Sequence, residues 1–235
     1  MTITTAIVLA AGEGSRLRSS APYKPLCEVG GKALIDHALD GLAAAGLSRA
    51  VVVLGYGQAA IRDHLARRTA SIAVEIATSD PRLPNGVSVL AAAAHVSGEA
   101  LLSMCDHLVD PALYARLAKA GSGSGLRLGI DRRLGHGWVD PLDVTCVRTD
   151  GDRIVAIGKG LEPHDAYDTG VFAVGPALFE ALGTLAEPSL TEGVRVLAAA
   201  GTAEIVDVSD CSWIDVDDPP ALALAEGWMA QPAAA

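Results

Sequence analysis

Aromatic residues are scarce in this chain of 235 residues, with Phe 2, Trp 3 and Tyr 4, so its core has to be assembled mainly from Ala, Val, Leu and Ile. No apolar run reaches the roughly 18 residues that a membrane helix requires. The N-terminal MTITTAIVLAAGEG lacks a basic segment ahead of its apolar run and is expected to be a first strand, not a signal peptide. Cations are in deficit too: Lys+Arg 18 against Asp+Glu 28 leaves a formal charge of −10. That excludes a nucleic-acid partner, whose phosphates need a basic footprint, and it disfavours anionic membrane surfaces; with no apolar run of spanning length, no stable membrane insertion is expected. Any anionic ligand must therefore be met by a local cluster of Lys or Arg. Cys27, Cys105, Cys146 and Cys211 show no CxxC spacing, and inert thiols in a reducing, cytoplasmic setting are expected.

What is present is alternation. Strand-like runs at 4–10, 50–54, 72–77 and 100–104 are separated by helical patterns at 33–46, 58–68 and 88–96. Such βαβ succession implies a parallel sheet with both faces covered. The second half changes character, with short strand candidates at 126–131, 142–148, 153–158 and 170–174. Helices are expected at 176–185, 190–200 and 219–229, with a strand near 203–208. Only the five-residue Gly121–Gly125 connection interrupts the pattern. One domain is expected over residues 1–230, with a nucleotide-binding half of about 1–120, an acceptor half of about 121–220 and a frayed tail at 231–235.

The first strand runs directly into Leu9-Ala10-Ala11-Gly12-Glu13-Gly14-Ser15-Arg16-Leu17. A Gly-rich loop at the C-terminal end of a parallel strand lets backbone N–H groups approach phosphates. It is not a dinucleotide fingerprint, because Leu17 occupies the third glycine position and Pro22 and Pro25 interrupt the required helix. Nor is it a Walker loop, since GxxxxGK[ST] is absent. Arg16 and Lys24 flank the loop in an otherwise acidic chain, and Pro25 holds Lys24 extended. A triphosphate explains that pair better than solvated surface charge.

LAAGEGSRL followed by YKPL resembles the signature of the sugar-phosphate nucleotidyltransferases, with Tyr23 where proline is usual. The resemblance implies a Rossmann-like three-layer α/β fold, with a mixed, mostly parallel central sheet and helices on both faces. It also assigns nucleoside triphosphate binding to the loop, with Gly12, Gly14, Arg16 and Lys24 holding phosphate.

Two carboxylate segments fit a metal. Asp106 follows the strand LLSM, and Asp215 and Asp217 share one face of the extended WIDVDDP. Asp218, before Pro219, reads as a helix start. Mg²⁺ takes one or two carboxylates plus phosphate oxygens. The resemblance places it on Asp106 and Asp215, with Asp217 as second choice.

Asn85, Gly86 and Ser88 form either a turn with a Ser helix cap or the NGxS segment that borders the nucleobase in cytidylyltransferase-like members. SMCDH, Ile157-Gly158-Lys159-Gly160-Leu161, Asp165-Ala166-Tyr167-Asp168-Thr169-Gly170 and WIDVDDP together resemble the inositol-1-phosphate cytidylyltransferases. That branch implies CTP and inositol 1-phosphate as substrates, CDP-inositol and pyrophosphate as products, and hand-over to a separate membrane transferase; a homodimer is compatible with it. Lys159 would meet the acceptor phosphate, with Asp168 and Thr169 either facing a polyol or forming a turn. His107 and His136 are expected to be ordinary surface or core histidines. Other phosphorylated acceptors (phosphocholine, an aminoalkylphosphonate, a hexose 1-phosphate) and a non-catalytic nucleotide-binding regulatory subunit are the alternatives.

Overall fold

A computed structural model describes residues 2–69 and 71–230; the expected frayed tail lies outside them. In chain order the elements are β1 (Thr5–Ala10), β2 (Glu28–Val29), β3 (Lys32–Ala33), α1 (Leu34–Ala44), β4 (Arg49–Leu54), α2 (Gln58–Arg67), β5 (Ala73–Thr78), α3 (Asn85–Ala93), β6 (Ala100–Met104), β7 (His107–Val109) and α4 (Pro111–Ala120). Then follow β8 (Leu126–Asp131), β9 (Thr145–Asp150), β10 (Arg153–Lys159), β11 (Ala166–Val174), α5 (Pro176–Gly183), α6 (Leu190–Ala199), β12 (Ala203–Asp207), β13 (Trp213–Asp215) and α7 (Pro219–Met229).

Nine strands form one sheet in the order β5-β4-β1-β6-β11-β8-β12-β10-β9. The first four run parallel. β11 then enters antiparallel beside β6 and β8. The sheet is therefore parallel where βαβ units build it and mixed beyond. Val51, Val53, Leu102 and Phe172 point into one apolar layer with Val89, Leu178 and Val194. The adjacent positions Val52, Leu54 and Leu101 enter the opposite layer with Leu39 and Leu117. Burial on both faces is why these strands read as continuous apolar runs. A smaller cluster joins Leu17, Val29 and Leu34 to Ile214, Val216 and Ala225, and it ties the glycine loop to the segment carrying Asp215.

Three of the expected elements, α3, β9 and β11, are displaced by three residues or more at a boundary. α3 begins at Asn85 after Pro84, so Ser88 lies within its first turn and is not the cap. Asn85, the first residue of the helix, accepts the Leu190 amide on its Oδ1 at 2.8 Å, a tertiary contact to the start of α6. β9 starts at Thr145, because Asp140 folds the preceding residues into a turn, its Oδ1 accepting the Leu142 amide at 2.9 Å. β11 extends back to Ala166 through a bulge at Gly170, which the sequence pattern reads as a break.

Candidate active site

The parallel register of β1 with β6 pairs Leu9 with Met104. The glycine loop and Asp106 thus leave the sheet at the same end, and the Cys105 amide donates to the Leu9 carbonyl at 3.1 Å. Asp110 caps α4 itself, accepting from the Ala112 amide at 2.8 Å, so Asp106 is left free of that structural duty. Antiparallel pairing of β7 with β13 sets Asp215 directly across from His107. The Val216 amide donates to the Asp106 carbonyl at 3.0 Å. Asp218 caps α7 through the Ala221 amide, in keeping with its reading as a helix start.

Gly14 sits at φ 55, and a Cβ there would lie 2.3 Å from the Cβ of Lys24. Its bare backbone lets Lys24 pass beside the loop, where it is 6% exposed. Burial works against the Lys24 charge, but Asp106 and Asp215 more than offset this and hold its pKa above the ordinary lysine value. Its Nζ pairs with Asp106 and Asp217 and lies 4.0 Å from Asp215. Arg16 pairs with Asp217 and, at 2.7 Å, with Asp143; Lys159 also pairs with Asp143. Five side chains therefore alternate in charge from the glycine loop to the far half: Lys24, Asp217, Arg16, Asp143, Lys159. Lys159 and Arg16 hold Asp143 below the usual carboxylate range, against the opposing effect of burial.

Two adjoining clefts share Arg16 and Asp217. The first is lined by Leu9, Ala10, Gly12, Gly14, Ser15 and Lys24. Glu13, on the same loop, is half-exposed and pairs with Arg18. The second cleft is walled by Trp138, Asp143, Lys159 and Asp168 and reaches Asn85. Asp131 anchors that wall from within. Its carboxylate is fully buried and accepts from Arg133 and from Trp213 Nε1 at 2.9 Å. It lies 3.3 Å from His136, which stacks on Trp138 at 3.8 Å. His136 is thus part of the wall's support.

Asp106, His107 and Asp215 each present a ligand atom within 4.8 Å of the others, an arrangement that fits a divalent metal. Asp217 is turned toward the two cations instead. Burial raises the Asp215 pKa, but His107 and Lys24 outweigh it and hold the carboxyl down at about 2. Burial lowers the His107 pKa, and Asp215 and Asp106 reverse this and push it up to about 9. Asp168 moves the other way, to about 6, because burial dominates over the hydrogen bond from the Gly170 amide.

Some expectations need correction. The Thr169 side chain is fully buried and its hydroxyl donates to the Gly129 carbonyl at 2.8 Å; it is committed to the sheet and cannot serve an acceptor. Gly86 and Ser88 are buried within α3, and Asn85 is the member of that trio that lines a cleft. His107 is no ordinary core histidine, since it lies among the carboxylates. Its position next to Asp106 after a strand end was the available signal. Asp143 had none, because a single acid in a Pro-containing loop carries no periodicity.

The fold and the loop define a nucleotidyltransferase, and the relatives agree. The chain belongs to the MobA-like NTP transferase family, whose model matches residues 6–151. It is 33% identical over 234 residues to a protein of Rubrobacter xylanophilus named bifunctional IPC transferase and DIPP synthase, covering 96% of this chain and 52% of that one. It is 31% identical to the CMP-5'-(3-aminopropyl)phosphonate synthase of Streptomyces rubellomurinus, covering 91% of this chain and 37% of that one. The chain thus spans about half the length, or less, of these curated relatives. Among solved structures, the inositol-1-phosphate CTP transferase from T. maritima superimposes with a TM-score of 0.87 at 22% identity, covering 100% of this chain and 99% of that one. At that identity the likeness speaks to the fold. Among the described residues no helix is long and apolar enough to cross a membrane.

Proposed function

We propose that this chain transfers CMP from CTP to inositol 1-phosphate, giving CDP-inositol and pyrophosphate for inositol phosphodiester or inositol lipid synthesis, with the product passing to a membrane transferase. The observation that carries this reading is the alternating charge series from Lys24 to Lys159, which joins a glycine-loop cleft to a cleft lined by Lys159 and Asp168. Two phosphate-bearing substrates placed along it would each find cations now neutralised by aspartates.

In this reading an oxygen of the acceptor phosphate attacks the α-phosphorus, and the bond to the β-phosphate oxygen breaks. A phosphomonoester has a second pKa of about 6, so the nucleophile is already ionised at neutral pH and no general base is needed. Catalysis then rests on orientation and on offsetting the repulsion of two anions. Backbone amides of residues 12–15 and the side chains of Arg16 and Lys24 meet the triphosphate and stabilise the departing pyrophosphate. Lys159 docks the acceptor phosphate. Asp168, half-buried in the second cleft with one oxygen held by the Gly170 amide at 2.7 Å, accepts from an acceptor hydroxyl. Asn85 borders the base. A divalent cation such as Mg²⁺, held by Asp106 and Asp215, would supply further neutralisation of phosphate oxygens.

The runner-up keeps the chemistry and exchanges the acceptor for an aminoalkylphosphonate, favoured by the Streptomyces relative and by the acidic wall of Asp140, Asp143 and Asp168, which suits an ammonium group. Pyrophosphate release decides between them. Each of the four nucleoside triphosphates is offered with inositol 1-phosphate, 2-aminoethylphosphonate, phosphocholine and glucose 1-phosphate. Release confined to CTP with inositol 1-phosphate is the expected outcome, and turnover of another pair overturns the acceptor or base assignment.

A further inference from the structure

The reaction outlined above gives His107 no part, although two separate parts of the fold, β11 and β13, hold its ring in place. Nδ1 lies 2.9 Å from the Thr169 carbonyl oxygen, which can only accept, so Nδ1 carries the hydrogen. The ring lies nearly parallel to Trp213, with centroids 6.2 Å apart. It also fills the space that Gly170 leaves empty, where a Cβ would lie 2.5 Å from Nδ1. The residue is 9% exposed.

The remaining ring atom is Nε2. It lies 3.5 Å from Asp215 Oδ2 and 4.0 Å from Asp106 Oδ1, too far for a good hydrogen bond to either. Separations of this size are what two atoms ligating a common small cation adopt. Asp215 Oδ1 is itself buried with no hydrogen-bond partner, although β13 holds its residue rigidly opposite His107. A histidine whose Nδ1–H is tied to a backbone carbonyl while Nε2 faces carboxylates has the form of a metal ligand with its supporting contact.

We propose that His107 is the third ligand of the divalent-metal centre, donating Nε2 beside Asp106 and Asp215, and that this nitrogen biases the site toward Mn²⁺ or Co²⁺ over Mg²⁺. Mg²⁺ favours oxygen ligands and keeps its waters, whereas imidazole suits the later first-row ions. The inference deepens the metal part of the proposed reaction and is independent of its base and acceptor.

The test is to titrate Mn²⁺ alone into the chain, following loss of the free-ion EPR signal, and to examine the bound ion for nitrogen coupling by electron spin echo envelope modulation. A directly coordinated imidazole nitrogen is expected, with Mg²⁺ displacing Mn²⁺ only at concentrations at least about tenfold higher. His107→Asn keeps an N–H near Nδ1 and removes Nε2. It should lose the nitrogen coupling and bind Mn²⁺ about tenfold or more weakly; His107→Ala, which also offers no ligand atom, serves if that variant does not fold. Absence of binding at millimolar Mn²⁺, bound Mn²⁺ without nitrogen coupling, or unchanged affinity in a folded variant overturns the proposal. Pyrophosphate release with Mg²⁺ separates the two readings. An active enzyme without nitrogen coupling sinks the His107 ligand alone. Nitrogen-coupled Mn²⁺ in a protein inactive on every substrate pair sinks the reaction alone.

Discussion

Arg16, on the glycine loop, donates to Asp143 of the far half at 2.7 Å, and the same carboxylate receives Lys159. One aspartate thus neutralises a cation from the glycine-loop cleft and one from the second cleft. Arg16 and Lys159 have side-chain exposures of 50% and 60%, so each pair is screened and contributes little to stability. Asp143→Asn should therefore leave the melting temperature nearly unchanged. It should also free Lys159, while Arg16 keeps Asp217, lowering the KM for the phosphorylated acceptor by about threefold, as expected for losing a competing exposed ion pair worth under about 1 kcal/mol. A rise in KM would show instead that Asp143 contacts the acceptor.

Asp106 and Asp215 are predicted to be indispensable to turnover and dispensable to folding. Asp106→Asn and Asp215→Asn should each lower kcat by about a thousandfold, the scale of a lost electrostatic stabiliser at the reacting centre, with circular dichroism unchanged. A folded Asp106→Asn enzyme retaining most of its activity would remove the metal assignment.

Thr169 and Asp168 are neighbours in sequence with separable roles. Thr169→Val leaves the Gly129 carbonyl unsatisfied inside the sheet, so it should cost about 1–3 kcal/mol in urea unfolding with acceptor KM unchanged. Asp168→Asn should do the reverse, raising acceptor KM with little loss of stability. Exchanged phenotypes would reassign both residues.

Gly170 has φ 75, and a Cβ there would collide with the His107 ring. Gly170→Ala should destabilise the fold by about 1–3 kcal/mol from backbone strain alone, with further loss from displacing the ring. An unfolding midpoint equal to that of the parent chain would mean the bulge is more yielding than its geometry indicates.

His107 links stability to pH in the metal-free protein. Its pKa rises from 6.5 to about 9 on folding, so the native state binds the extra proton between those values. The resulting stabilisation is fully present below pH 6.5 and is lost as pH rises through 9. The urea midpoint should fall across that window, and His107→Asn should flatten it. A parent midpoint that rises from pH 6.5 to 9 would contradict the assignment.

Much of this architecture is written locally. Apolar runs at β1, β4 and β6, buried on both faces, announce parallel strands because every side chain there enters one of two cores. Gly14, at positive φ, shapes the backbone beside Arg16 within a few residues, so the glycine loop is legible as a string; Lys24 opens a 3-10 turn over Lys24–Leu26 and not the extended stretch that Pro25 leads one to expect. Asp110 and Asp218 cap their helices through amides two or three residues away, which leaves Asp106 and Asp215 as the carboxylates without local employment.

The three-residue strands β7 and β13 are too short to show periodicity, yet their antiparallel register is what faces Asp215 toward His107 and leaves Asp217 to Lys24 and Arg16. The bulge at Gly170 turns the Thr169 carbonyl, not its hydroxyl, toward the site. By itself the sequence determined the class of fold, the glycine loop and its cations, and the two carboxylate segments, because those follow from backbone constraints and burial within short stretches. Only the tertiary structure decided which aspartate stands beside which base or cation. Such pairings depend on strand register and on Coulomb attraction between residues far apart in the chain, and neither leaves a trace in spacing.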